Sequence, residues 1–409
     1  MPELKNKIFF LPHYIGSLKY FARLGDYLKD KYEIGFLFSP KVRREFLKEM
    51  TDYCQKNNLP FVSATGQNYK WRLIPFYNFI RSLTGYKNKI NDFLKDRSIK
   101  KIIAFNDNEL YSNYLFDRAK SLGIETMVLQ WAVTYEKSAK DRKDKKKSLN
   151  PLVLLRFLIR KFLKVNYRNL EILAGGNAQK IGVINQMAAN LLQRAGVPAA
   201  KISVVGYLDF DLADLTKKKY DTDPAAKIRL AQKYGLDLTK KNIIIYSTPF
   251  NTKDFKFISD QQQLDYYQKI ITILQKHLQS SEYQILLKLH PAENAALYRP
   301  LLDLGVKIFK EDVVNEELIY LSDLYIAHHS TTNFIPIIMN KEAIFINFLN
   351  LEKINSTTGY FGVKKYITST EEFTTLVNQF KEGRLAKQYR LNPEIITPDS
   401  IKKILAWIN

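Results

Sequence analysis

The sequence holds a single cysteine, Cys54, among its 409 residues. That excludes an internal disulfide and any cysteine-rich zinc site, and it suits a reducing compartment. Long hydrophobic runs are missing as well: no stretch approaches the ~18 consecutive apolar residues that a membrane-spanning helix needs. The opening stretch MPELKNKIFFLPHYIG carries only a short apolar run, interrupted at Pro12 and His13, so no signal peptide is expected. Acidic residues are scarce, with 41 Asp and Glu against 63 Lys and Arg, for a net charge of +22. Such an excess calls for nucleic acid, an anionic membrane surface or phosphate-rich substrates as partner. No nucleic-acid-binding module accompanies it, so nucleic acid is not the expected partner. A cytoplasmic protein, peripheral on the inner membrane face, is expected.

What is present is the composition of a globular protein, 46% hydrophobic and 25% charged. The length implies two domains of about 200 residues each. Short apolar runs alternate with amphipathic stretches: KIFFL, EIGFLF, KKIIAF, ETMVLQ, KIGVI and KISVVG in the first half, NIIIYS, QILLKLH, VKIF, LYIAH and AIFINF in the second. Strands separated by helices of roughly 10–15 residues form parallel, doubly wound sheets. The expected fold is α/β, with two Rossmann-like domains facing across a cleft. The first spans residues 1–207 with a basic insertion at 138–168, a linker covers 208–240, the second domain covers 241–395, and a C-terminal helix covers 396–409. A short helix at 225–234 is expected inside the linker.

Ligands of such sheets bind at the carboxyl ends of the strands. That places His13, the Asn106–Glu109 run and Gln130 at the rim of the first sheet. In the second half, LLKLHPAEN sets His290 at a strand end with Pro291 opening a helix. SDLYIAHHSTTNF then places Ser330, Thr331 and Thr332 where a strand gives way to a helix, a place for N-caps and for phosphate. Lys288, two residues before His290, shares its strand face and adds charge. His328 and His329 are adjacent, so they point to opposite faces, one into the core and one outward. For acid–base chemistry at the rim of the first sheet, His13, Asp107 and Glu109 are the candidate bases. Asp209–Phe210–Asp211 is a DxD, a pattern that suits Mg²⁺ or Mn²⁺, but it follows KISVVG in the expected linker, and no metal site is expected.

LLKLHP followed by SDLYIAHHSTT resembles the nucleotide-binding half of bacterial GT-B enzymes that build surface polymers. These are the teichoic-acid glycerophosphotransferases and the capsule transferases with an HP motif and a downstream Ser/Thr motif. NIIIYSTPF is similar to the strand and loop opening that domain, with Thr248 and Pro249 at its Thr-Pro-like turn. NLLQRAGVPAAKISVVGYLDFD resembles the segment that closes the first domain. IIAFNDN and LGIETMVLQWA are similar to the segment that ends in Gln-His-Gly in relatives, where this chain has Gln130–Trp131–Ala132. The likeness covers most of residues 1–20 and 100–350. It implies a glycosyltransferase, or a related polymer-building transferase. Such an enzyme would move a sugar from a nucleotide-activated donor to a lipid-linked or polysaccharide acceptor, with no cofactor beyond the nucleotide-sugar substrate. Thr248, Lys288, His290 and Ser330–Thr332 would contact the nucleotide. The same architecture hosts UDP-N-acetylglucosamine 2-epimerases, whose Ser-Gly-Gly signature is missing here. A 2-epimerase-like enzyme and a non-catalytic basic binding protein are the alternatives.

The insertion combines two biases. Between Ser138 and Arg168 stand eleven Lys and Arg against two Asp, nine net positive charges. Within Leu152–Lys164, Arg156, Arg160 and Lys164 recur every fourth residue among leucines, Phe157, Ile159 and Phe162. That is one basic stripe on a largely apolar helix, suited either to a core position or to an anionic membrane interface. The interfacial reading explains both biases. The protein should therefore co-sediment with anionic liposomes, and roughly 150–300 mM added salt should weaken that binding by screening. Replacing Arg156, Arg160, Lys161 and Lys164 by Glu should abolish it; undiminished co-sedimentation of that variant would count against a membrane role.

Overall fold

The computed structural model describes residues 5–39, 42, 44–64, 76–107, 110–130, 177–251, 257–310, 313–355, 362–390 and 394–409. Glu109, Trp131, Ala132 and the insertion with Arg156, Arg160, Lys161 and Lys164 lie outside these residues. The chain forms two compact units, residues 1–208 with 399–409, and residues 209–398.

The first unit runs β1 (Lys7–Leu11), α1 (Ile15–Asp26), β2 (Glu33–Phe38), α2 (Arg44–Lys56), β3 (Phe61–Ser63), α3 (Phe76–Phe93), β4 (Ile99–Ala104), α4 (Leu110–Ser121), β5 (Glu125–Leu129), β6 (Lys180–Val183), α5 (Gln186–Arg194) and β7 (Ile202–Val204). Its seven strands are all parallel, in the order β3-β2-β1-β4-β5-β6-β7. Parallel strands covered on both faces read as unbroken apolar runs, and β1, β2 and β4 are buried along nearly their whole length for that reason. One core on this sheet gathers Phe9, Leu11, Leu37, Ile102, Leu115 and Phe116. Gly35 sits opposite Phe9 in the β1–β2 register; a Cβ there would meet the Phe9 ring at 2.5 Å, so glycine makes room for that ring.

The second unit runs α6 (Leu208–Thr222, its first residue counted with the first unit), α7 (Pro224–Lys233), β8 (Lys241–Tyr246), α8 (Asp260–His277), β9 (Tyr283–Lys288), β10 (Lys307–Phe309), α9 (Asn315–Tyr320), β11 (Leu324–Ala327), α10 (Phe334–Ile338), β12 (Glu342–Phe345), α11 (Glu352–Asn355) and α12 (Thr370–Lys381). Five parallel strands take the order β10-β9-β8-β11-β12. Ile243, Ile245, Leu287, Ile326 and Ile344 form the middle of its core under Tyr267, Ile270 and Phe373. The last helix, α13 (Ser400–Ile408), returns to the first unit. There Ser400 Oγ accepts the Tyr207 amide at 3.1 Å. Gly206, at φ +87°, leaves the space that Ser400 fills.

Three sequence expectations are corrected. The stretch 208–222, expected as linker, is the helix α6, while α7 (Pro224–Lys233) is the short helix expected at 225–234. The alternating Lys and Asp of α6 form pairs one turn apart, Lys217–Asp221 at 2.5 Å and Lys218–Asp214 at 2.6 Å, which favour helix. Pro291 opens a turn and not a helix; the chain turns at 291–293 and then forms a 3₁₀ segment, Ala295–Leu301, with Pro300 inside it. Ser330–Thr332 opens a three-residue 3₁₀ turn and only then the five-residue α10, so little helix dipole stands behind the hydroxyls.

Candidate functional site

Strand order reverses in each sheet between the strand that starts it and the strand that returns beside it: β1 and β4 in the first unit, β8 and β11 in the second. The loops at the carboxyl ends of such a pair flank the crevice where α/β sheets take ligands. In the second unit these loops are 247–251 and 328–333, and the loop after β9, residues 289–294, lies on the other side of β8.

The β8 and β9 loops are bound together through one carboxylate. Glu293 is 3% exposed. Its Oε2 accepts the Ser247 hydroxyl and, at 2.7 Å, the His290 amide; its Oε1 accepts the Tyr298 hydroxyl and, at 2.9 Å, Gln263 Nε2. Burial pushes the Glu293 carboxyl above its ordinary range, against the pull of these donors. Gln263 Nε2 also donates to the Thr248 carbonyl at 2.8 Å, and the Thr248 amide donates to Tyr267 Oη at 2.7 Å. Glu293 was not singled out from the sequence. Its only local signal is its place in LHPAEN, because the partners come from residues 247, 263 and 298.

His290 is exposed on its side chain, while the bulk of protein beneath it and the nearby Lys288 hold its pKa well below the usual imidazole range. The ring is therefore neutral near pH 7. Its Nδ1 accepts the Ala292 amide at 3.1 Å, so the proton resides on Nε2, which is left as a donor. Lys288 is 7% exposed, and its Nζ donates to the Leu289 carbonyl at 2.8 Å.

At the end of β11, His328 is fully buried. Its Nε2 lies 2.7 Å from Tyr266 Oη in a hydrogen bond whose direction follows the tautomer. The ring meets Phe250 of the β8 loop edge to face, with centroids 4.9 Å apart. Burial lowers the His328 pKa to about 3. His329, its neighbour, is half-buried; both stand just past the end of β11. Ser330 Oγ accepts the Thr332 amide at 3.2 Å and lies 2.8 Å from Thr332 Oγ1. Behind them Tyr325 Oη donates to Asn333 Oδ1 at 2.9 Å, and Asn333 Nδ2 to the His328 carbonyl at 2.7 Å. Thr248, His290 and Ser330–Thr332 thus occupy three adjacent loops of one sheet edge.

In the first unit, His13 is half-buried in the loop after β1. Ser17 fixes that loop: its Oγ accepts the His13 amide at 2.9 Å and donates to the Tyr14 carbonyl at 2.7 Å. Asp107, after β4, is fully buried, and its Oδ2 accepts the Ala178 amide at 3.0 Å. Asn113 Nδ2 donates to the Asp107 carbonyl. Beside it, Asn106 Oδ1 and Ser112 Oγ are buried without a hydrogen-bond partner among the described residues. Gln130, after β5, accepts the Ile184 amide at 3.1 Å, a structural bond between neighbouring strand ends. A cavity of about 560 Å³, lined among others by Ala22, Tyr32, Ile34, Leu59 and Pro60, lies beside the starts of β2 and β3 and shares no residue with these loops. Asp209 and Asp211 stand in the first turn of α6; two residues apart on a helix they diverge by about 200° and do not converge on one ion. Among the described residues, no group of three or more His, Cys, Asp or Glu is placed to hold a metal ion. Nor is any described helix long and apolar enough to cross a membrane.

His328 gives the site a pH signature. Its folded pKa, about 3, lies below the unfolded value of about 6.5, so the folded state binds fewer protons and stability falls as pH drops through that interval. In His328→Phe, the dependence of urea stability on pH below about 6.5 should flatten by up to one proton, ~1.4 kcal/mol per pH unit, with a lower baseline from the lost Tyr266 bond. An unchanged slope would show that His328 does not titrate on unfolding.

No family model matches the chain, and no curated protein matches its sequence. Solved structures do match it in fold. The UDP-GlcNAc 2-epimerase of Neisseria meningitidis, bound to UDP-GlcNAc, is 12% identical, with a TM-score of 0.60 over 99% of both chains. The UDP-GlcNAc 2-epimerase of Methanocaldococcus jannaschii is 12% identical, with a TM-score of 0.58 over 98% of this chain and 99% of the other. The wall teichoic acid polymerase TagF is 14% identical, with a TM-score of 0.54 over 98% of this chain and 84% of that one. With two parallel-sheet α/β units of seven and five strands and these likenesses, the chain has the GT-B type of fold.

Proposed function

We propose that this protein is a metal-independent glycosyltransferase or related polymer-building transferase. Its donor is a nucleotide-activated sugar held by the second unit, and its acceptor is a lipid-linked or polysaccharide hydroxyl of the cell envelope. The observation that carries this reading is the placement of Thr248, His290 and Ser330–Thr332 on three adjacent strand ends, two of which flank the reversal of strand order. Neutral His290 offers Nε2–H to phosphate oxygens, and whichever of the Ser330 and Thr332 hydroxyls does not donate to the other offers a second donor. Lys288 adds positive charge below them. As the acceptor oxygen bonds to the sugar carbon, the bond from that carbon to the phosphate oxygen breaks, and the nucleotide leaves with its new charge met by these donors.

The acceptor's proton passes to a base on the first unit. His13 and Asp107 are the candidates for that role: His13 is half-buried with its Nε2 buried, and the Asp107 carboxylate is fully buried and bound to the Ala178 amide. Delivery to a membrane-borne acceptor, on the cytoplasmic side, would be the task of the basic insertion.

A second reading is supported by the match to 2-epimerases over nearly the whole of both chains. An enzyme of that kind would release nucleotide from UDP-GlcNAc with no acceptor present, and the transferase would not. Calorimetric titration with UDP, CMP and CDP tests what the readings share: the protein should bind one of them. His290→Ala and Ser330→Ala should each weaken that binding by ~1–3 kcal/mol, the range for hydrogen bonds to charged groups. His13→Ala should leave binding intact and lower kcat by about 10²–10⁴-fold. Unchanged nucleotide affinity in both second-unit variants would remove the site from consideration.

A further inference from the structure

We infer that Glu293 is the positioning residue of the second unit: its carboxylate sets the β8 and β9 loops relative to each other, and so places Thr248 and His290 against the same phosphate-bearing ligand. The ligand half of this inference rests on the nucleotide reading above.

The case begins with capacity. An ionised carboxylate has about four lone-pair sites, and here four donors take them: the Ser247 hydroxyl, the His290 amide, Gln263 Nε2 and the Tyr298 hydroxyl. A group so engaged cannot take a substrate proton or hold a metal without giving up a bond. Its work is therefore on the protein. The donors come from four separate segments: the loop after β8, α8, the loop after β9 and the 3₁₀ segment Ala295–Leu301. Two of them sit directly against residues assigned to the ligand. Ser247 precedes Thr248, and the His290 bond is made by its own backbone. Ser247 Oγ additionally accepts the His290 amide at 2.9 Å, closing a triangle between the two loops. Gln263 extends the network to the Thr248 carbonyl.

Burying a carboxylate is costly, and an apolar residue of similar size would fill the volume. A carboxylate supplies what an apolar residue lacks: simultaneous, directional acceptance from both loops. Glutamine is nearly isosteric but replaces one acceptor oxygen with an NH₂ that faces donors already in place. Glu293→Gln is therefore the sharpest variant, with Ser247→Ala and Tyr298→Phe each removing a single donor.

Amide hydrogen exchange on the full-length protein, with and without UDP or CDP, separates the possibilities. In Glu293→Gln, residues 247–250 and 289–293 should exchange at least roughly tenfold faster, as expected on losing charge-assisted hydrogen bonds, while Ile243–Ile245 in β8 stay as protected as in the parent. Nucleotide affinity should fall by a similar factor, and Ser247→Ala and Tyr298→Phe should show smaller effects in the same two loops. If Glu293→Gln does not fold, those two variants carry the test. Unchanged loop exchange would overturn the inference, and so would a general loosening that includes β8, because that is a core role. Loosened loops with parent-like nucleotide affinity would also overturn it. A parent that binds neither nucleotide, yet shows the loop effect in Glu293→Gln, would overturn the nucleotide reading and leave the loop-setting role standing.

Discussion

A carboxylate removed from water persists only where donors replace its hydration. In the second unit those donors are drawn from four stretches of chain around Glu293. The geometry of the candidate site follows from that requirement. With Glu293 satisfied, Ser247 and the His290 amide are fixed within one hydrogen bond of each other. Gln263 and Tyr267 then hold both backbone groups of Thr248. On the far side of β8, Phe250 packs on His328, which ties the third loop to the first. A polar network on one side and an aromatic contact on the other leave three loops that share one frame.

The parallel sheet provides the setting. Every strand of the second unit ends its β run at the same edge, so residues from positions 248, 290 and 330 meet although long helices separate them in sequence. The first unit repeats the scheme with His13 and Asp107 at its own reversal point. The two residues differ in environment: a half-buried imidazole on a loop braced by Ser17, and a buried carboxylate spent on the Ala178 amide.

Much of this was legible in the sequence. The strands were visible because parallel sheets bury both faces, and runs such as NIIIYS and LYIAH have few other uses. Local composition misled at 208–222, where Asp and Lys suggested a solvated linker; the spacing of Lys217 and Asp221 was the helix signal, and Tyr220 and Phe210 supply its buried side. The helices Phe76–Phe93 and Thr370–Lys381 were not anticipated at all. Glu293 was invisible for a different reason. Three of its four partners lie outside LHPAEN or at its far side, and nothing in that motif separates a buried acceptor from an exposed glutamate. Hydrogen-bond networks assembled across loops are a property of the fold, and periodicity does not report them.

The central claim is that a nucleotide sits on the carboxyl-end loops of the second unit. Titrating UDP, then CDP, into ¹⁵N-labelled protein and following the backbone amides tests it most directly. The account predicts that the shifts concentrate in residues 247–251, 289–294 and 328–333, with the His290 and Thr332 amides among the largest. Shifts confined to the first unit, or none with either nucleotide, would contradict it.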